Sequence, residues 1–201
     1  GKKAADIYFV GNTMIDALVA YDQVIAENTI MTKLDVTERA FALVTIHRPS
    51  NVDNKSALEQ NIHLLQNIAI KYPVVFPVHP RTKNKLEQFQ LLSLLTSNPN
   101  IRICEPLDYF AFQKLIASCK FIVTDSGGIQ EEATFRKKPC ITIRPNTERP
   151  STITLGTNTL VEADISKINQ LITDIEKHNY KEGNIPPLWD GKATARIFQV
   201  L

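Results

Sequence analysis

TDSGGIQEEA, residues 124–133, is the stretch whose reading decides the fold. An apolar run, FIVT, enters it, and a helix-like run leaves it. Between them stand an acid, a hydroxyl and two glycines. Glycine costs a helix about 1 kcal/mol relative to alanine, so Gly127 and Gly128 at a helix start imply a ligand close to the backbone there. Without a Cβ in the way, the first N–H groups of the helix, which have no partner inside it, can reach an anion. The helix dipole adds partial positive charge, and such a terminus suits phosphate. Ser126 adds a hydroxyl that can cap the helix or bond a phosphate oxygen.

The same strand-to-helix alternation extends in both directions. Phe41–Ile46, Val74–Val78, Ile101–Cys104, Phe121–Thr124, Cys140–Ile143 and Thr159–Val161 read as strands. Lys55–Tyr72, Thr82–Leu95, Asp108–Ala117, Gly128–Arg136, Ile165–Lys177 and Ala193–Leu201 read as helices; Leu58, Ile62, Leu65 and Ala69 mark one face of the first. Mostly continuous apolar strands alternating with helices predict an α/β fold, a doubly wound parallel sheet of Rossmann-like type with strand order 3-2-1-4-5-6. The first forty residues stand apart. Ile7–Val10 reads as a strand end and Thr13–Ala26 as a helix, with Met14, Leu18 and Ile25 roughly in phase. That segment reads as an interdomain piece leading out of a preceding domain, Gly1 as a cut, and residues 41–201 as the Rossmann-like unit.

In such a sheet the ligand crevice opens where the strand order reverses, at the carboxyl ends of the strands. The first strand ends in His47-Arg48-Pro49-Ser50-Asn51 and the fourth in Asp125-Ser126-Gly127-Gly128, so these segments are expected to face each other. His47 and Arg149 are candidate partners for phosphate. Glu131 and Glu132 lie one turn into the helix, where a carboxylate can accept both hydrogen bonds of a ribose diol; the other glutamate is expected on a solvated face. Phosphate plus diol points to a nucleotide. Each feature also has a plainer reading: Ser-Gly-Gly as a strand-to-helix turn, and His47 as a satisfied structural histidine. His79 lies on the same edge of the sheet, one strand from the switch point. His63 and His178 read as surface residues.

The 201 residues carry 23 basic and 21 acidic side chains, a net charge of +2, and 43% hydrophobic content. This suits one well-buried core and gives no footprint for nucleic acid; Arg136-Lys137-Lys138 reads as solvated surface. No apolar run approaches a membrane span. Cys104, Cys119 and Cys140 read as reduced core residues of an intracellular protein, without metal-ligand spacing, and no metal or cofactor is expected. Neither GxGxxG nor GxxxxGK[ST] occurs.

Taken in order, VGNTMIDAL (10–18), LVTIHRPSNVDN (43–54), FPVHPRT (76–82), EPLDYFAF (105–112), TDSGGIQEEA, RPNTERP (144–150), LGTNTLVEAD (155–164) and WDGKATARI (189–197) span the chain. This series closely resembles the C-terminal half of the non-hydrolysing UDP-N-acetylglucosamine 2-epimerases. The resemblance implies one domain of a GT-B-type, two-domain enzyme acting on a UDP-sugar, whose other domain supplies carboxylates for the chemistry. It implies a catalytic role for His47 near the diphosphate and a phosphate turn at Ser126, Gly127 and Gly128. It also implies a ribose carboxylate at Glu132, a nucleotide contact at Arg149, and Leu107 and Phe112 beside uracil. The implied reaction interconverts UDP-N-acetylglucosamine and UDP-N-acetylmannosamine by loss and re-addition of UDP at C1 with inversion at C2. It would take place in a cytoplasmic homodimer that supplies nucleotide sugar for surface polysaccharide. Many bacterial members read HRREN where this chain has His47-Arg48-Pro49-Ser50-Asn51. There the segment helps form a second, activating nucleotide-sugar site; Arg48 and His79 are the residues here that could still contribute to one. Three alternatives stay open on the sequence: a hydrolysing 2-epimerase, a GT-B glycosyltransferase donor domain, and a silent UDP-sugar-binding module.

Overall fold

A computed structural model describes residues 2–162 and 164–201; Gly1, read as a cut end, lies outside the described residues. Six strands form one parallel sheet: β1 Ala42–Thr45, β2 Val74–Pro77, β3 Ile101–Cys104, β4 Phe121–Thr124, β5 Cys140–Ile143 and β6 Asn158–Val161. Their order is β3-β2-β1-β4-β5-β6, as expected from the alternation. The order reverses between β1 and β4, which pair in register from Ala42 with Phe121 to Thr45 with Thr124.

The helices are α1 Thr13–Ala20, α2 Asp22–Glu27, α3 Ile30–Lys33, α4 Pro49–Val52, α5 Lys55–Ala69, α6 Pro80–Gln88, α7 Leu92–Thr96, α8 Tyr109–Ser118, α9 Gly127–Phe135, α10 Pro150–Thr154, α11 Ile165–Glu176 and α12 Ala193–Val200. Helix α5 starts on Asn54, whose side chain accepts from the N–H groups of Ser56 and Ala57. Its Leu58, Ile62, Leu65 and Ala69 are buried against one face of the sheet, with Val44, Phe76 and Phe121. On the other face α8 and α9 bury Leu115, Ile116, Ile129 and Ala133 against Leu43, Val75 and Ile122. Both faces are covered, which is why the central strands carry almost no polar residues.

Several expected boundaries were wrong. Ile7–Val10 forms no strand; Ile7, Tyr8 and Phe9 are exposed. The single helix expected over Thr13–Ala26 is broken at Tyr21 into α1 and α2. The buried face of α1 carries Ile15 and Leu18, while Met14 is largely outside it. These residues pack with Ile25 against Trp189, far along the chain. The helix expected over Thr82–Leu95 is likewise two, α6 and α7, because Gln90 adopts a left-handed conformation at φ 59°. No helix among the described residues is long and apolar enough to cross a membrane.

At the outer edge of the sheet, the Tyr180 hydroxyl reaches the carbonyls of Cys140 and Thr157 at 2.9 and 2.8 Å and Thr159 Oγ1 at 2.8 Å. Tyr180→Phe leaves these buried groups without their partner. Urea denaturation is expected to show a loss of about 1–2 kcal/mol.

Candidate functional site

The crevice is organised by a carboxylate to which the sequence reading gave no role. Asp125 follows β4 and is fully buried. Its Oδ2 accepts the backbone N–H of Arg48 at 2.8 Å and of His47 at 2.9 Å, and the Asn51 amide at 2.9 Å. Its Oδ1 lies 3.0 Å from His47 Nδ1. Arg48 Nε closes the ring by donating to the Asp125 carbonyl at 3.2 Å. Burial pushes the Asp125 carboxyl up, but hydrogen bonds from His47, the Arg48 N–H and Asn51 outweigh it and hold the group below the ordinary range. The ionised carboxylate assigns the imidazole proton to Nδ1 of His47 and leaves Nε2 as the nitrogen free to act on a ligand. The segments at the ends of β1 and β4 therefore do meet, and His47 is held, not merely nearby.

Ser126 is the N-cap of α9, yet its side chain makes no capping bond. The hydroxyl is left available at the start of the helix, with the N–H groups of Gly127 and Gly128 beside it. The crowding around the glycines differs from expectation. A Cβ on Gly127 would meet Glu148 Oε1 at 2.6 Å, and one on Gly128 would meet Met14 Cε at 3.2 Å. Glu148 is held there by Arg144 at 2.8 Å, with Arg48 at 3.6 Å. The hydrogen bond from Arg144 keeps the Glu148 carboxyl down at about 2.

Neither Glu131 nor Glu132 lies on a solvated face: they are 8% and 7% exposed. This overturns the expectation that one of them would be. They face different partners. Glu131 accepts the Asn12 amide at 2.9 Å and pairs with Arg149 Nε at 2.9 Å; the latter is an ion pair without hydrogen-bond alignment. Burial raises its carboxyl despite Arg149. Glu132 is in none of the ion pairs among the described residues; Arg136, whose guanidinium pairs with Asp22 at 2.5 Å, pulls on it only from further off. Burial pushes it up to about 7, with Gln113 pulling down and Glu131 pushing further up. Glu132 thus lacks an ion-pair partner and has Gln113 beside it, while Glu131 is taken up with Arg149.

The remaining candidates fall around this group. Leu107, in the loop from β3 to α8, and Phe112, in the first turns of α8, are half-buried and pack in the cluster that contains Ile129. His79 is exposed at the end of β2 and caps α6 through Nδ1, which accepts the Arg81 N–H at 3.1 Å. Its ring centroid lies 5.2 Å from that of His47, closer than its place on a neighbouring strand had suggested. His63 and His178 are exposed. No cluster of metal-ligating residues occurs among the described residues.

An uncapped glycine helix start, a free hydroxyl and a buried carboxylate at a topological switch point define an α/β domain of the doubly wound, Rossmann-like class. The whole chain, residues 1–201, matches the family described as UDP-N-acetylglucosamine 2-epimerase. The chain belongs to that family. It is 38% identical over 202 residues to the UDP-N-acetylglucosamine 2-epimerase of Methanocaldococcus jannaschii, covering 97% of this chain and 54% of the relative. The crystal structure of the UDP-GlcNAc 2-epimerase of that organism, in complex with UDP-GlcNAc and UDP, superposes with a TM-score of 0.84 at 35% identity, over 100% of this chain and 57% of that one. The Escherichia coli heptosyltransferase WaaC with ADP matches 73% of this chain and 47% of its own at a TM-score of 0.53 and 16% identity. That likeness concerns the fold alone, the Rossmann-like domain of GT-B enzymes. The chain spans about half the length of the curated relatives it matches.

Two predictions follow from the electrostatics. Asp125→Asn replaces an acceptor of several charge-assisted bonds by a group with a single carbonyl, and is expected to cost about 3 kcal/mol in urea denaturation. The Glu132 carboxyl, raised by burial, favours folding while protonated; that contribution is full below its unfolded value of 4.5 and is lost as pH rises through about 7. Glu132→Gln is therefore expected to raise the thermal midpoint relative to the parent at pH 8 and to leave it nearly equal at pH 4. A midpoint difference that does not grow with pH would contradict a buried, titrating Glu132.

Proposed function

We propose that this chain is the UDP-binding, C-terminal half of a UDP-N-acetylglucosamine 2-epimerase, with residues 1–40 leading in from an N-terminal domain and residues 41–201 forming the nucleotide domain. The observation that carries the reading is the start of α9. Its Ser126 hydroxyl makes no cap and its glycines carry no Cβ, while Glu132, one turn on, is buried without an ion-pair partner among the described residues. Diphosphate would take the Ser126, Gly127 and Gly128 turn, ribose the Glu132 carboxylate, and uracil the half-buried surface of Leu107 and Phe112. Arg149 would add a cation to the nucleotide.

Departing UDP develops negative charge on its β-phosphate, and preorganised N–H groups at a helix start stabilise such charge without reorganising. His47, its tautomer set by Asp125, would present Nε2 toward the diphosphate and sugar. The other domain would bring the base that removes the C2 proton, and closure of the two domains would exclude water from the glycal intermediate. In this reading the protein is cytoplasmic and dimeric, serves nucleotide-sugar supply for surface polysaccharide, and keeps Arg48 and His79 as the remnant of a second nucleotide-sugar site. That reading is supported by Arg48 lying in the loop held by Asp125 and by the His79 and His47 rings lying 5.2 Å apart.

Calorimetry with UDP tests the binding half of the reading. The chain is expected to bind UDP, and Ser126→Ala to weaken it by about 1 kcal/mol for one lost hydrogen bond. Incubation with UDP-N-acetylglucosamine in deuterated water tests the division of labour. No deuterium at C2 and no UDP-N-acetylmannosamine are expected. Solvent deuterium at C2 would show that this half carries the base and would overturn the two-domain account.

A further inference from the structure

We infer that Gln130 and Asn158 are positioning residues: two fully buried amides that hold Arg149 in register with the phosphate turn. The inference rests on the nucleotide role proposed above for Arg149. Both amides are 0% exposed. Gln130 Oε1 accepts the Thr147 hydroxyl at 2.7 Å and the Asn158 amide at 3.0 Å. Gln130 Nε2 donates to the Ser126 carbonyl at 3.1 Å, in the turn itself. The second Asn158 N–H reaches Thr152 Oγ1 at 3.1 Å.

The two threonines then clamp one residue from both sides. The Arg149 N–H donates to Thr147 Oγ1 at 3.0 Å, and the Thr152 hydroxyl donates to the Arg149 carbonyl at 2.7 Å. Arg149 needs such a clamp. It precedes Pro150 at the start of α10, in a backbone conformation of φ −122° and ψ 59° that is neither helical nor extended. Pro150 keeps Arg149 out of the helical region, and the two threonine bonds select its conformation from what remains. Each polar atom named here has a partner, so the network is a satisfied one and rigid. An apolar plug would seal the same space at lower risk, but it would not tie the Arg149 backbone to the Ser126 carbonyl.

A merely structural role and a positioning role differ in one measurable respect. If the amides act through Arg149, their effect on nucleotide affinity depends on the Arg149 side chain. UDP affinity is measured by calorimetry for Gln130→Met, Asn158→Leu and the milder loop variant Thr147→Val, each with Arg149 intact and with Arg149→Ala. With Arg149 intact each variant is expected to weaken UDP roughly tenfold, and in the Arg149→Ala background about threefold or less, a non-additivity of the size seen for coupled groups. Thr147→Val sits on a partly buried loop and keeps its shape, so it carries the test where a core variant does not fold. Equal losses in both backgrounds would overturn the positioning role and leave the nucleotide site intact. An unchanged affinity in Arg149→Ala alone would instead overturn the nucleotide role of Arg149, and the inference with it.

Discussion

The site depends on one buried carboxylate. Asp125 takes the backbone N–H groups of His47 and Arg48, the Asn51 amide and the His47 ring, all from the segment that follows β1, while standing immediately after β4. Without it, the segment after β1 would keep only side-chain bonds at its margins, from Thr82 to the Ile46 carbonyl at 2.6 Å and from Asn61 to the Asn51 carbonyl at 3.0 Å, beside the weaker contacts of Arg48 and Asn51. A buried charge is costly unless it is fully partnered, and a partnered one is directional. Asp125 is therefore an expensive but unambiguous way of fixing two strand ends across a crevice. It also sets which nitrogen of His47 is available. The histidine's chemistry and the crevice's shape are consequences of the same set of bonds.

Helix α9 divides its residues between holding and waiting. Gln130 is committed to the polar layer under the crevice and Glu131 to Asn12 and Arg149. Ser126 and Glu132 are not committed in that way, and both face costs for it: a cap without its bond, and a carboxyl raised by burial. Local rules broken without local compensation mark functional sites, since a ligand can supply what the protein withholds. Glu148, leaning over Gly127 and paired with Arg144 and Arg48, places an anion near the turn meanwhile. Phosphate approaching that turn would meet the same arginines.

The fold was largely legible because its signals are local. Short apolar runs alternating with amphipathic ones determine a parallel sheet, and right-handed crossovers leave few orders for it. The switch point and the glycine turn followed directly. What escaped was set by distant contacts. The break at Tyr21 reflects the packing of Ile15, Leu18 and Ile25 on Trp189. The partners of the buried Glu131 are Asn12 and Arg149, from distant segments that no periodicity within α9 reveals. The organising part of Asp125 was hidden in plain view, since an acid at a strand end looks the same whether it caps a turn or anchors a neighbouring loop. Gln130 and Asn158 read as unremarkable polar residues until the structure brings them together.

The central claim is that the start of α9 is the diphosphate site and Glu132 the ribose site. Amide NMR spectra of the chain titrated with UDP test it most directly, because they report each backbone N–H separately. The account predicts that the largest shifts fall on Ser126, Gly127 and Gly128, with Glu132 and Arg149 following, and that uridine without phosphates leaves the glycine amides nearly unmoved. Saturable shifts confined to another face of the domain, with Gly127 and Gly128 unchanged at full occupancy, would contradict it.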